Sequence, residues 1–558
     1  MRLPVAIVAL LMVPPILVGC VTPGSNVEPT AIHLSAATLA PLKPEQVTLT
    51  MRDGVKLDNW VIRPDTTEKV PIIIESRPYF GNLDPPAAQG GQKFSKWLVD
   101  YFVPRGYAVV LHSIRGTGDS EGCYDQGGIQ EQQDEAATIE KFATMEWANG
   151  KVASIGKSYG GTTPWEAAIQ QPPHLTTIVP IEGITRWYDY LWTNGAYYAN
   201  GGDFNAEYTA TISLNVGPGV PPPSTTQLQN YPGKACQRQA EMQKAGVEAA
   251  ATGDETAWWQ ERDYAKGIDK INAANISVYI VHGLQDWNVK PDQIVDVYNK
   301  LTVPKRLMLG QQDHQYPLRD DWGTDLLAWF DHYLKGAQNG ILQTPPVMVS
   351  DSDGKWRTEN EWPPQRATPT TLQLSADGKL VTSNAKTGDV PYSAVPGQPP
   401  KDGTTGPDRA IWTSEPLPAP TRISGSPTLT FNATFLDPKG QVAATLFLVN
   451  DSGWHAISWA AATARHHNGA HRPETITPNQ VVSFHLKFEP MEQPLPTGTR
   501  LGLVLSSTNA FVPAGGAGST QIAAGPTAKL TLPTIENEPP QEEPQPTMKA
   551  AADLPWTS

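Results

Sequence analysis

The sequence predicts an α/β protein whose mostly parallel sheet is interrupted by a mainly helical insertion and followed by an all-β domain. Between about residues 46 and 180, β-prone apolar runs alternate with helix-period stretches, the pattern of strands joined by crossover helices. The same alternation resumes near residue 271. Beyond about residue 345 apolar and polar residues alternate one by one between proline and glycine turns, which is half-buried strand patterning.

The first half of the sheet is carried by "VPIIIES", "YAVVLHSI", "KVASIG" and "LTTIVPIEG". Between the second and third of these, Ala136, Ile139, Phe142, Ala143 and Trp147 share one face of a helical stretch. Residues 184–270 hold Trp, Tyr, Asn, Pro and Gly with long helical runs, and an insertion there would cap the C-terminal edge of the sheet. "ISVYIVHGLQD", "KRLMLG" and the helical "TDLLAWFDHYLKG" complete the core. In the β-domain, Leu429, Phe431, Ala433 and Phe435 alternate with polar residues, as do Val482, Phe484, Leu486 and Phe488. The expected division is a core over 46–183 and 271–344, a cap over 184–270, a β-sandwich over 345–535, and a proline- and glutamate-rich tail over 536–558 that reads as disordered.

A net charge of −14 over 558 residues, with no basic run, argues against nucleic acid as a partner. Residues 1–19 have a single early arginine and an apolar run that is short and broken by proline, which reads as an export signal. Its end, "LVGC", resembles the lipobox of bacterial lipoproteins, in which cleavage precedes the cysteine and Cys20 carries the lipid; an ordinary cleaved signal or an uncleaved anchor are the alternatives. Residues 20–45 then form a flexible tether, and the expected location is the outer face of a bacterial-type membrane. The remaining cysteines, Cys123 and Cys236, are a candidate disulfide in an oxidising compartment. No metal site is expected, because the histidines form no HExxH pattern and "RHHNGAH" reads as a loop of the β-domain.

"SIGKSYGGT", residues 154–162, spells both the end of a phosphate-binding loop and a nucleophile elbow. The phosphate reading fails, because Lys151 stands where the leading glycine is needed and the strand runs directly into Gly156. The elbow needs a buried strand, small residues flanking the nucleophile and a helix beyond, and all three are there. On an α/β-hydrolase framework the acid and the base follow the nucleophile in post-strand loops. "ISVYIVHG" is followed by Asp286, and "KRLMLG" by Asp313-His314. Ser158, Asp286 and His314 therefore supply nucleophile, acid and base in the expected order. Asp313 is the rival acid, although a residue adjacent to the histidine seldom reaches its ring nitrogen. His282 and His332 read as structural, the first inside a strand and the second on a helix.

"GKSYGG", "VHGLQDWNVKP", "WYDYLWTNG", "WWQERDY", "RGTGDSEG" and "WFDHYLKG" together resemble the Xaa-Pro dipeptidyl-peptidase family of serine peptidases. Its relatives of the cocaine esterase and α-amino acid ester hydrolase type are similar too, and the resemblance runs from about residue 46 to 535. It implies an α/β-hydrolase core with a helical cap and a C-terminal jelly roll, the triad Ser158, Asp286 and His314, and an oxyanion hole from the Tyr79 hydroxyl and the Tyr159 N–H. Tyr79 follows the strand "VPIIIES", from which its phenol can donate to the developing oxyanion; an aromatic packing residue is the alternative. The implied activity is release of Xaa-Pro dipeptides from peptide N-termini without a cofactor; an acyl or α-amino acid ester hydrolase is the alternative, and a surface lipoprotein that only binds a ligand is a third class. Glu182, Asp189, Asp203 and Glu207 are candidates to hold a substrate amine. Two departures stand out: the large dipeptidyl-peptidases carry an extra N-terminal domain for which residues 21–45 leave no room, and His112 and Ser113 precede Arg115 where relatives often have an acidic residue.

Overall fold

The computed structural model describes residues 34–80, 93–198, 237–394, 399–538 and 544–557. The export signal, Cys20, Cys236, Asp203 and Glu207 lie outside the described residues.

The core strands are β1 (Glu45–Thr50), β2 (Lys56–Ile62), β3 (Val70–Arg77), β4 (Ala108–Ser113), β5 (Ala148–Lys157) and β6 (Leu175–Ile181). A short hairpin, β7 (Trp192–Thr193) and β8 (Ala196–Tyr197), stands apart from them; β9 (Ser277–Gly283), β10 (Lys305–Gly310), β11 (Val347–Ser350) and β12 (Trp356–Glu359) complete the sheet. Its ten strands run in the order β1-β2-β4-β3-β5-β6-β9-β10-β11-β12. All neighbours from β4 to β11 are parallel, and the edges are antiparallel. Parallel strands bury both faces, which is why they read as continuous apolar runs rather than as alternation. Along β3, Ile72 and Ile74 enter one core layer and Ile73 the other.

The described helices are α1 (Lys93–Phe102), α2 (Ile129–Ala143), α3 (Tyr159–Ile169), α4 (Trp187–Leu191), α5 (Gln237–Thr252), α6 (Ala257–Glu261), α7 (Ile268–Ala274), α8 (Asp292–Lys300) and α9 (Trp322–Lys335). Residues of α2, α3, α7 and α8 pack on one face of the sheet; α1 and α9 cover the other with Trp97, Trp322 and Trp329. Tryptophans of this kind each remove roughly 150–250 Å² of apolar surface from water, so they dominate the layer's cohesion.

The cap, α4 to α6, is latched to the core by Arg262. Its guanidinium is fully buried and donates to the Asp125 and Gln126 carbonyls at 2.8 and 2.9 Å. A buried cation needs such acceptors, so the latch is obligatory once Arg262 is inside. Cys123, in the loop after β4, is disulfide-bonded. Cys20 and Cys236, the other two cysteines of the chain, lie outside the described residues.

The C-terminal domain is a network of 12 strands from Thr368–Leu374 to Gly518–Glu536. The 19-residue last strand pairs with four others. The two strands expected from alternation form, at Thr428–Phe435 and Val481–Lys487, and pair with Phe431 opposite Phe484, rings 5.1 Å apart.

Three boundaries differ from the sequence expectation. β11 and β12 extend the core sheet, so the core ends near residue 360 rather than 344; "VMVS" and "WRTE" are too short to announce which sheet they join. The tether is docked in its second half, where the Ser35 hydroxyl donates to Asp331 at 2.7 Å and the Thr38 and Leu39 amides donate to the Pro104 carbonyl. The tail, read as disordered over 536–558, returns to the core at its end. Trp556 is buried edge-on against Trp97 and Trp322 and donates its indole N–H to the Pro317 carbonyl. Proline and glutamate content predicted solvation, but Gln545 bonds the Trp356 backbone, Thr547 and Lys549 bond the 318–320 segment, and Leu554 and Trp556 are buried.

Candidate active site

The strand β5 runs straight to Lys157, and Ser158 follows in the left-handed region at φ 63°, ψ −124°. A non-glycine residue there is strained by the order of 1–3 kcal/mol and persists only where the surroundings enforce it. The enforcement is close packing: a Cβ on Gly156 would collide with the Gly160 carbonyl, and one on Gly161 with the Ile181 carbonyl. Helix α3 starts at once, and the Gly161 and Thr162 amides bond the Ser158 carbonyl at 2.9 and 3.0 Å. This is the elbow geometry the letters suggested.

β9 and β10 end beside β5 and β6 in parallel register. The loop after β9 brings Asp286 and the loop after β10 brings His314. His314 Nε2 lies 2.8 Å from Ser158 Oγ, and its Nδ1 lies 2.8 Å from Asp286 Oδ2. Asp286 is fully buried, and its Oδ1 accepts the Asn288 and Val289 amides at 2.9 and 2.8 Å. Those two bonds orient the side chain, so the imidazole is held with its proton on Nδ1 and a lone pair toward the serine. Asp313, the rival acid, points to solvent.

Both loops are braced from outside the core. Trp287 packs on Phe511 of the β-domain with rings 4.9 Å apart, and Glu489 of that domain accepts the Asp292 amide at 3.1 Å. The Trp556 bond to Pro317 pins the loop three residues beyond His314. The appended domain and tail thus fix the two loops that carry acid and base.

His282 and His332 are structural, as expected. The first is buried in β9 with Nε2 on the Val289 carbonyl at 2.9 Å, and burial holds its pKa down; the second bonds the Ala337 carbonyl through Nδ1. His112 is likewise buried, with Nδ1 2.8 Å from Asn59 Oδ1, and burial pushes its pKa down to about 3. Tyr159 is fully buried and its hydroxyl donates to Glu131 at 2.8 Å; its N–H belongs to the first turn of α3, whose amides point out of the N-terminus. Tyr79 is half-buried just beyond β3, whose end touches the elbow through the Thr163 hydroxyl on the Ser76 carbonyl at 3.0 Å. Burial raises the phenol pKa of Tyr190, and both Tyr79 and Asp286 add to that rise.

Of the amine candidates, Asp189 is taken by Arg186 in an ion pair at 2.5 Å, and Glu182 turns inward to His314. Sequence reasoning missed that inward turn, and it missed Lys157, whose Nζ donates to the His314 carbonyl at 3.0 Å. Glu182, Asp286 and His314 also have the spacing of a metal-ligand cluster. Both nitrogens of His314 are already engaged, by Ser158 and Asp286, so the set fits a proton relay and offers no imidazole nitrogen to an ion.

A serine on a strained elbow, a histidine within hydrogen-bond reach and a buried carboxylate behind it, on a capped parallel sheet, define a serine hydrolase of the α/β-hydrolase fold. The family model described as X-Pro dipeptidyl-peptidase (S15 family) matches residues 53–316, and that of the X-Pro dipeptidyl-peptidase C-terminal non-catalytic domain matches residues 339–522. The chain belongs to this family. Among relatives, a putative Xaa-Pro dipeptidyl-peptidase of Bacillus anthracis is 29% identical over 500 residues, covering 82% of this chain and 81% of the relative. One of Streptomyces avermitilis is 28% identical over 544 residues, covering 82% and 77%. In fold the chain is similar to a CocE/NonD family hydrolase from Staphylococcus aureus, with TM-score 0.72, 17% identity and coverage of 88% and 94%. It is also similar to an α-amino acid ester hydrolase, with TM-score 0.70, 20% identity and coverage of 92% and 100%.

Proposed function

We propose that this serine hydrolase releases Xaa-Pro dipeptides from peptide N-termini through an acyl-enzyme on Ser158. The observation that carries the reading is the relay with 2.8 Å in each link, on a chain whose catalytic and C-terminal parts both match the X-Pro dipeptidyl-peptidase family. Ser158 Oγ attacks the prolyl carbonyl as its proton passes to His314 Nε2, and the imidazolium is stabilised by Asp286. The tetrahedral oxyanion takes donors from the Tyr79 hydroxyl and the Tyr159 N–H. Collapse breaks the peptide bond, His314 returns the proton to the leaving amine, and water repeats the sequence to free the dipeptide.

A dipeptidyl-peptidase must hold a free ammonium two residues before the scissile bond and a proline ring beside the nucleophile, whereas an acyl esterase needs neither. Four chromogenic substrates separate them: an Xaa-Pro anilide with a free amine, its N-acetylated form, an Xaa-Ala anilide and a simple aryl ester. The free Xaa-Pro anilide is expected to be cleaved, and acetylation to lower kcat/KM by roughly 10–100-fold, the scale of losing a hydrogen bond to a charged group. Inertness toward every anilide, with brisk ester turnover, sinks the peptidase reading in favour of the esterase.

The enzyme is proposed to be exported and held to the membrane through Cys20, which rests on the "LVGC" at the end of the apolar leader. Cells expressing the full chain should incorporate labelled palmitate into it, and Cys20→Ala should lose the label; label retained by that variant refutes the anchor.

A further inference from the structure

Glu182 sits one residue beyond β6, fully buried, at φ 47°. Like Ser158 it is a non-glycine residue in the left-handed region beside the reacting groups, a strain that only dense surroundings sustain. The Gln315 amide donates to Glu182 Oε1 at 3.0 Å, and Glu182 Oε2 lies 3.3 Å from His314 Nδ1. Among the described residues, Oε2 has no hydrogen-bond donor meeting normal geometry. Lys157 Nζ stands 4.0 Å from the same oxygen and donates to the His314 carbonyl. The peptide unit that follows the histidine is thus gripped at both of its polar groups, the carbonyl by Lys157 and the amide by Glu182.

We propose, resting on the triad reading above, that Glu182 is a positioning residue for His314, a second carboxyl at Nδ1 that clamps the histidine loop and acts in its protonated form. It does not capture the substrate amine, because it lies on the Nδ1 side of the imidazole, away from the Nε2 edge that faces Ser158. Two ionised carboxylates at one ring nitrogen repel each other. Burial first, and the charge of Asp286 second, push the Glu182 carboxyl well above the usual range, against the opposing pull of Lys157. The other groups packed around it are His314 and Asp313 on the loop after β10, Tyr316 beyond them, and His282 of β9 at 3.9 Å from Asp286. An ionised Glu182 beside Nδ1 would stabilise an imidazolium, and an imidazolium cannot accept the serine proton; a neutral carboxyl there leaves Nε2 free to act as the base.

The test uses the full-length enzyme and an activated aryl ester, whose turnover needs the triad and not the peptide pocket. Glu182→Gln keeps the acceptor for the Gln315 amide and removes the ionisable proton. It should retain the wild-type plateau of kcat/KM to within about threefold, with an acid limb that titrates as one proton about one pH unit lower. Glu182→Ala loses the clamp and should lower kcat by roughly 30-fold with little change in KM. Coincident acid limbs for wild type and Glu182→Gln, a Gln variant as impaired as the Ala variant, or an Ala variant with a wild-type plateau each overturns the proposal. Failure of the triad reading is told apart by Ser158→Ala, which under that failure would still turn over the ester.

Discussion

Ser158→Ala should abolish turnover of ester and anilide alike, with kcat falling by roughly 10⁶-fold, while the thermal unfolding midpoint stays near that of the wild type. The size of the loss follows from what is removed. The hydroxyl is the atom that forms the acyl-enzyme, and among the described residues it is the partner of His314 Nε2. Little volume is lost, and no packing contact in the core depends on the Oγ. His314→Ala should be comparably severe, and the double variant no worse than either single one, because residues acting as one relay do not contribute additively. Tyr79→Phe serves as the graded comparison: it keeps the ring and deletes one oxyanion donor, an expected loss of about 10²–10³ in kcat. The measurement is steady-state kinetics on enzyme checked for contaminating hydrolase by fluorophosphonate labelling. More than about 1% residual activity in Ser158→Ala would mean that another nucleophile carries the chemistry.

The catalytic constellation was legible because each part is announced locally. A strand of four β-prone residues runs into glycine, a serine is flanked by small residues, and Asp286 and His314 follow apolar strands by two to four residues in the order the fold requires. Such signals depend on neighbours in sequence, which is what a single chain displays. The β-domain alternation around Phe431 and Phe484 was legible for the same reason, since period two survives wherever one face is buried.

What escaped reading depends on neighbours distant in sequence. Helix α2 shows Ile139 and Phe142 as its inward face, and Glu131 and Glu135, at four-residue steps from Ile139, are buried on that same face, but nothing in the letters says what would partner a carboxyl there. They are tolerated because partners come from elsewhere: the Tyr159 hydroxyl donates to Glu131, and burial raises that carboxyl to about 7, close to the point at which it enters the interior neutral. Glu182 was read only as one of four candidates for a substrate amine, and the approach of the β10 loop is what makes it a neighbour of His314. Trp556 is the third case, since a Pro- and Glu-rich context argues for solvation until Trp97 and Trp322, more than 200 residues away in sequence, provide a slot for it.

The appended parts also give a reason for the precision of the site. A hydrolase core alone can place a serine, because the elbow is held by its own strand and helix. The acid and base sit on loops, and loops need outside support to stay within the few tenths of an ångström that proton transfer demands. Here Phe511 and Glu489 of the β-domain support the loop of Asp286 and the start of α8, and Trp556 supports the loop of His314. A domain described in the family as non-catalytic thus bears on catalysis through the geometry of residues it never supplies.

Asp286→Asn should lower kcat by about 10⁴-fold and leave KM within a few-fold, whereas Asp313→Asn should change kcat by less than about threefold. The asymmetry rests on where each carboxylate points. Asp286 is buried, bonded at one oxygen by two backbone amides, and 2.8 Å from His314 Nδ1 through the other. An asparagine there would keep its oxygen on the Asn288 and Val289 amides and turn its NH₂ toward Nδ1. The ring would then present a lone pair to that NH₂ and its N–H to Ser158, the tautomer that cannot accept the serine proton. The fold should survive, because the side chain keeps its size and its backbone bonds, so the thermal midpoint serves as the control. Asp313 faces solvent, and its Oδ1 accepts only from the Gln315 side chain beside it. A carboxylate so placed is screened from the imidazolium and contributes little to its stability. A damaging Asp313→Asn paired with a silent Asp286→Asn would assign the acid to the other loop position and require His314 to turn its Nδ1 outward during turnover.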